Sequence, residues 1–249
     1  MIKTRIGLVA CDTETYVLAN NAIHASVSRF DVAGVRVFTD RPDLWPQYDG
    51  IAIPKIGNID DYNRIILERL PERMTEDFSI VCQYDGFILN PERFSEGFFD
   101  YDYIGAVWPI YPYFRVGNGG FSWRSRRLVQ AVAELAHLRA SGEPEDLFIC
   151  RSMRVILEER YACRFADEAT AQRFSYEILP GGESAFGFHG VFNLPLVYRD
   201  SLEFLVENLP RRILTSRVGF LRYGAQQLGP ERAAEFERLV ARALAREGG

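Results

Sequence analysis

Arg5-Ile6-Gly7-Leu8-Val9-Ala10-Cys11, running into Asp12-Thr13, decides the fold. It is an apolar run of strand length that stops on polar turn formers, the pattern of a strand covered on both faces. Residues 14–30 follow with helical spacing, and Val35-Arg36-Val37-Phe38-Thr39-Asp40 repeats the strand signal. Ile51-Ala52-Ile53 is a third short strand. Asp60-Asp61 reads as an N-cap pair for a helix from Tyr62 to Leu70, on which Ile65, Ile66 and Leu70 share a face. Phe78-Ser79-Ile80-Val81-Cys82-Gln83 is a fourth strand. Strands alternating with helices imply a mixed, mostly parallel sheet with helices on both faces. Such sheets take their ligands beyond the carboxyl ends of the strands.

Downstream the alternation loosens. Tyr103 to Trp108 reads as a strand, Pro109 to Phe114 as an aromatic loop broken by proline, and Val116 to Trp123 as a glycine-rich segment feeding a helix from about Ser125. A second helix begins near Pro144. From Ser201 onward apolar residues recur at three- and four-residue spacing: Leu202, Leu205, Val206 and Leu209, then Phe236, Leu239, Val240 and Leu244. The expected organisation is an α/β domain over residues 1–200 and an amphipathic helical extension over 201–249.

The whole chain bounds its function classes. It has 249 residues, 47% hydrophobic and 25% charged, the balance of a folded globular protein. No run of 18 uncharged apolar residues is present, and Met1 to Thr4 lead into the first strand without a signal-peptide pattern. The expected location is the cytoplasm. A net charge of −5 argues against a nucleic-acid partner, whose affinity would rest on a basic surface. From Arg211 to the end, eight arginines face four glutamates, a balance of +4 that leaves −9 for the first 210 residues. Only Lys3 and Lys55 among the 29 basic residues are lysines, so the arginine excess follows base composition and says little about phosphate. The basic, amphipathic tail suits covering the core or sealing a homodimer, and it also suits peripheral contact with the inner face of a membrane. Cys11, Cys82, Cys150 and Cys163 form no C-x-x-C pair, which fits a reducing compartment.

Several residue groups carry two readings. Gln83-Tyr84-Asp85-Gly86 follows a strand directly; Asp85 is either turn punctuation or a carboxylate holding a divalent cation at the ligand end of the sheet. Glu143-Pro144-Glu145-Asp146 either opens a helix whose dipole favours acids, or presents Glu145 or Asp146 as a general base. His189 lies between glycines, in a loop where a ligand can approach closely, and it is either a loop residue or a ligand to Mn²⁺. Val116-Gly117-Asn118-Gly119-Gly120 lacks the Lys-Ser/Thr of a phosphate loop; it is a tight hairpin or a backbone passing close to a sugar, with Asn118 bonding hydroxyls. Trp108 to Phe114 and Trp123 are either core or stacking platforms for sugar rings. Asp12, Thr13, Asp40 and Lys55, at strand ends, are placed by topology around a base, ribose and phosphate pocket.

Taken together these stretches resemble a family of glycosyltransferase-like proteins catalogued as a domain of unknown function and found in bacteria and some eukaryotes. The resemblance rests on Val81 to Phe87, Tyr101 to Trp108, Val116 to Ser125, Pro144 to Phe148 and Phe186 to Gly190, in order over about residues 60–195. It implies a GT-A-like fold and transfer of a sugar from a nucleotide-diphosphate donor, with UDP- or GDP-sugars expected, to a glycan or lipid-linked acceptor in polysaccharide assembly. On the same resemblance, Asp85 is the carboxylate that binds Mn²⁺ or Mg²⁺, His189 the late metal ligand and Asp146 the base of an inverting reaction, with Glu145 beside it. Gln83 stands where the usual motif has its first carboxylate. It brings an amide oxygen but no charge, which weakens the expectation of strict metal dependence and leaves a non-catalytic sugar-nucleotide or glycan-binding module as the alternative.

Overall fold

The computed structural model describes residues 5–178 and 184–246, so the lead-in Met1 to Thr4 lies outside the described residues. A six-stranded sheet runs through the centre in the order β3-β2-β1-β4-β6-β5. β1 (Ile6–Cys11) lies between β2 (Gly34–Thr39) and β4 (Phe78–Cys82), parallel to both, and β3 (Asp49–Ala52) continues the parallel part beside β2. β6 (Ser122–Ser125) is antiparallel to β4 and to the two-residue β5 (Tyr103–Ile104). The mixed, mostly parallel sheet is the one the apolar runs require. The observed strand after residue 103 is shorter than expected, and β6, inside the glycine-rich segment, was not foreseen as a strand.

Register explains the burial. Leu8 stands opposite Val35 on one neighbour and Ile80 on the other, and Ile80 stands opposite Trp123. Because successive side chains leave opposite faces of a strand, Leu8 and Ile80 enter one apolar cluster with Phe98, Trp123 and Phe186. Val9 enters a second, with Phe38, Ile51, Ile65 and Val129. Both faces of β1 are therefore dry, which is why its sequence is continuously apolar.

Helices cover these faces. α1 (Tyr16–Val27) follows β1; α2 (Ile59–Arg64) runs through a π-turn at Ile65–Arg69 into α3 (Leu70–Arg73). The cap of α2 is Asn58, whose side chain accepts from Asp61 N, so Asp60 and Asp61 lie in the first turn and not at the cap. α4 (Arg126–Leu135) starts at Ser125, whose hydroxyl accepts from Leu128 N at 3.0 Å. The helix near Pro144 breaks into α5 (Glu145–Leu147), a π-turn at Phe148–Ser152 and α6 (Arg154–Tyr161). α7 (Glu168–Phe174) runs into β7 (Ser175–Tyr176), which pairs in parallel with β8 (Gly187–Phe188).

After α8 (Leu194–Val197) comes the tail: α9 (Leu202–Asn208), α10 (Arg211–Ser216), α11 (Val218–Gln226) and α12 (Pro230–Arg246). Its apolar stripe is buried against Leu18 and Ala22 of α1 and against Phe87 and Phe188. The stripe thus covers the core within the chain, one of the roles its spacing suits. Among the described residues no helix is long and apolar enough to cross a membrane.

Candidate active site

A cavity of about 680 Å³ opens beyond the carboxyl ends of β1 and β4. This is where the strand order reverses direction, and so where helices leave the sheet on opposite sides and a crevice must form. Asp12 and Thr13 line it from the end of β1, Lys55 from beyond β3, and Gln83 and Tyr84 from the end of β4. Arg212 and Arg217, at the two ends of α10, close it from the tail.

Asp12 and Thr13 build the wall with their side chains. Asp12 Oδ1 accepts from Glu14 N at 3.0 Å and Thr15 N at 2.7 Å, and its other oxygen accepts from the Thr15 hydroxyl. Burial holds the Asp12 carboxyl above its ordinary pKa, against those bonds. Thr13 Oγ1 accepts from Ile56 N at 3.1 Å, tying the end of β1 to the segment after β3. Asp40 is not among the residues lining the cavity: its Oδ1 accepts from the Tyr16 hydroxyl at 2.8 Å, which places it beside the base of α1.

Gln83 N donates to Gly86 O at 2.8 Å and Gly86 N to Gln83 O at 3.0 Å, so Tyr84 and Asp85 form the tip of a two-residue turn. The turn reading and the site reading of this motif are therefore one arrangement. Gln83 Nε2 donates to the hydroxyl of the half-buried Tyr62 at 2.8 Å. Asp85 is buried, and its Oδ1, without a hydrogen-bond partner among the described residues, lies 3.9 Å from His189 Nε2. Burial raises the Asp85 pKa, while His189 and, more weakly, Arg217 work against the rise.

His189 follows β8 and is fixed through its backbone N–H, which donates to Tyr176 O at 2.9 Å. Its Nδ1 lies 3.2 Å from Glu177 Oε1. Burial alone would lower the imidazole pKa, but the carboxylates of Asp85 and Glu177 outweigh it and bring it to about 9. His189 thus stands between two acidic side chains that favour its protonated form.

Gly119 and Gly120 join these groups to the acidic pair. Gly119 N donates to Asp146 Oδ2 at 3.1 Å, and a Cβ at Gly119 would stand 1.9 Å from Glu145 Oε1. A Cβ at Gly120 would stand 2.1 Å from His189 Nε2 and 2.7 Å from Gln83 Oε1. The glycines are required by this packing of side chains onto backbone, so their signal in the sequence does not by itself mean a sugar. Asp85, His189 and Asp146 converge around these two residues, although they are far apart in the chain.

The acidic pair divides. Glu145 is buried in an ion pair with Arg124 at 2.9 Å, and its backbone N donates to the buried Asn63 Oδ1 at 2.9 Å. Burial raises the Glu145 pKa and Arg124 opposes the rise. Asp146 is half-buried and accepts from Gly119 N and from Leu147 N.

The aromatic expectations also divide. Trp123 is fully buried, stacked on Phe78 at 4.7 Å and donating to Tyr101 O, so it has no face to offer a sugar. Trp108 is buried as well, its ring lying against Gly117. Asn118 holds a positive φ of 63°, and its Oδ1 accepts from Gly120 N at 3.1 Å, so its side chain closes its own turn. The exposed part of the loop is Ile110, Pro112 and Tyr113, with Ile110 and Tyr113 75% and 62% accessible.

Asn63, Arg124, Glu177, Arg212 and Arg217 were missed by sequence reasoning. Arg124 stood inside a quoted stretch, and a buried arginine after a glycine turn was the available signal. The tail arginines were masked by the arginine bias of the whole chain.

Among the described residues no three His, Cys, Asp or Glu side chains are grouped to hold an ion alone. Asp85 and His189 are two such groups, and the orphaned Asp85 oxygen facing Nε2 fits a cation that takes its remaining ligands from elsewhere.

A solved structure titled "Crystal structure of a glycosyltransferase involved in the glycosylation of the major capsid of PBCV-1" shares the fold, with a TM-score of 0.50 and 10% identity over 74% of this chain and 92% of that one. No curated protein matches the chain in sequence. A family profile described as a protein of unknown function (DUF5672) matches residues 48–189, more than half of the chain, and the chain belongs to that family.

Proposed function

We propose that the protein is a glycosyltransferase that moves a sugar from a nucleotide-diphosphate donor, a UDP- or GDP-sugar, to a hydroxyl of a glycan or lipid-linked acceptor, with inversion. The observation that carries this is the convergence of Asp85, His189 and Asp146 around Gly119 and Gly120; none of the three lines the cavity itself, and Gln83, which does, stands beside them. The shared fold supports the same class of chemistry.

In this reading the nucleotide lies in the cavity between the ends of β1 and β4, with Lys55, which makes no ion pair among the described residues, reaching a phosphate. Asp146 removes the proton of the attacking hydroxyl, assistance typically worth about 10²- to 10⁴-fold. Glu145, committed to Arg124, holds the start of α5 and leaves the proton transfer to its neighbour. Asp85 and His189, with the Gln83 amide oxygen beside them, would hold Mn²⁺ or Mg²⁺. Such an ion supplies electrostatic stabilisation of the charge on the departing diphosphate. Ile110 and Tyr113 suit contact with the acceptor.

A thermal-shift panel of UDP, GDP, CMP and dTDP, each with and without Mn²⁺, tests the donor site, together with a donor-hydrolysis assay on the corresponding nucleotide sugars. A true donor nucleotide at a hundredfold excess over its Kd should stabilise the fold by about 2.7 kcal/mol. Hydrolysis accompanying that stabilisation marks a transferase, and stabilisation without hydrolysis marks a binding module. Absence of both for every nucleotide refutes the proposal.

A further inference from the structure

The positive charges around the cavity come from two distant parts of the chain. Lys55 stands on the wall beyond β3, whereas Arg212 and Arg217 reach in from α10. That helix is anchored by Ile213 and Leu214, both buried in the cluster the tail shares with α1, so the arginines are presented on a fixed element. Ile213 itself lines the cavity between them.

The carboxylates in the same wall are already engaged. Asp12 is occupied by the turn at Glu14 and Thr15. Glu14 is paired with Arg212, through both guanidinium nitrogens Nε and Nη2. This pair is open to water, its side chains 70% and 36% accessible, and such pairs contribute little to folding. Arg217 makes no hydrogen bond or ion pair through its guanidinium among the described residues; the guanidinium lies 6.0 Å from the Phe220 ring. A cavity with one free guanidinium, a second held by an exchangeable carboxylate and a free ammonium opposite matches a multiply charged phosphate group. Guanidinium forks suit such oxygens because two N–H groups can be offered in parallel.

We propose that Arg212 and Arg217 bind the diphosphate of the nucleotide, with Arg212 exchanging Glu14 for phosphate oxygens on binding. The C-terminal segment then belongs to the donor site and sets its preference for a diphosphate over a bare nucleoside. This assignment rests on the nucleotide-sugar reading of the cavity.

The test is calorimetric titration of UDP and GDP, with uridine and guanosine as uncharged counterparts, into the full chain in Mn²⁺ and low salt. Arg217→Gln should weaken the binding of the preferred diphosphate about tenfold or more and leave its nucleoside unchanged. Arg212→Gln should also weaken it. Glu14→Gln, which breaks the same ion pair from the other side, should tighten it by about threefold or more, because Arg212 is freed. If the pair served only to hold the tail in place, Arg212→Gln and Glu14→Gln would move affinity in the same direction, and that result overturns the assignment. So does an unchanged diphosphate affinity in the double variant Arg212→Gln/Arg217→Gln. If the wild-type chain binds neither diphosphate, the assignment falls together with the nucleotide-sugar reading. If the wild type binds and the double variant binds equally, the assignment falls alone.

Discussion

Arg124 and Glu145 form an ion pair at 2.9 Å with their side chains only 2% and 4% exposed, joining β6 to the first residue of α5. Arg124 also donates to Ser122 Oγ at 3.0 Å and to Gly119 O at 3.3 Å. One guanidinium thereby fixes the glycine turn and the acidic helix start relative to each other. Adjacent residues in a helix point about 100° apart, so with Glu145 turned inward Asp146 faces the Gly119 backbone. Arg124→Met leaves Glu145 buried without its partner. A loss of about 3–5 kcal/mol is expected, which at this chain length lowers Tm by roughly 6–20 °C. Thermal unfolding followed by circular dichroism checks it; a midpoint within measurement error of wild type would remove the pair from the structural account.

Asp146→Asn keeps the shape of the side chain, retains one of its two backbone N–H contacts (Gly119 N or Leu147 N) through the amide oxygen, and removes the basicity. Turnover should fall by at least about 100-fold, with donor affinity unchanged. Initial-rate kinetics beside donor titration separate the two quantities, and near wild-type turnover would take the base role away from Asp146.

The imidazolium of His189, with its pKa raised to about 9, ties cation binding to pH. Below that value the ring must lose its proton before Nε2 can ligate. Affinity for Mn²⁺ should therefore climb with pH, by about tenfold per unit at most, and flatten above 9. Without metal the sign reverses: a raised imidazole pKa stabilises the fold below the unfolded value, and that contribution fades as pH rises through 9. In Asp85→Asn, nucleotide affinity should no longer respond to Mn²⁺ or to its removal by chelation. Equal donor affinity with and without metal in the wild type would show that Asp85 is not a ligand.

Gly120→Ala places a methyl group into the space of His189 Nε2 and Gln83 Oε1. Overpacking of this kind typically costs about 1–3 kcal/mol, and here the displaced ring should also lose its response to Mn²⁺. A variant with wild-type Tm and wild-type metal response would mean that the loop relaxes freely.

Asp60 accepts from Gly142 N at 2.9 Å and pairs with Arg139 at 2.7 Å, with the Ser141 hydroxyl adding a third bond. The Gly142 bond first, then Arg139 and Ser141, lower its pKa to about 2. Its contribution is complete above the ordinary carboxylate range and is lost as pH falls toward 2. Asp60→Asn should flatten the decline of Tm between pH 5 and pH 2 while changing little at pH 2 itself. An identical acid profile in the two proteins would contradict the assignment.

How much of this was legible follows from the range of the interactions. β1, β2 and β4 are legible because a strand dry on both faces has to be apolar throughout. β6 is Ser-Trp-Arg-Ser, with two hydroxyls and a guanidinium buried, and no hydrophobic period can reveal it; Arg124 is tolerated there only because Glu145, 21 positions later, meets it. Asp85, Asp146 and His189 could be singled out because each sits in a short stretch with recognisable company. Glu177 and the α10 arginines could not, since their relation to the cavity exists only after distant segments fold together. Trp123 was equally plausible as core or platform, and its indole N–H bond to Tyr101 O, invisible in one dimension, goes with the core.

Leu18 and Ala22 of α1 are sealed by helices whose first residue, Leu202, lies 184 and 180 positions later. Ribosomes add about 5–20 residues per second, so this greasy surface waits roughly 9–40 seconds for its cover during synthesis. Over that interval the nascent polypeptide depends on chaperones or on speed to escape aggregation, and C-terminal truncations that remove α9 would make the exposure permanent.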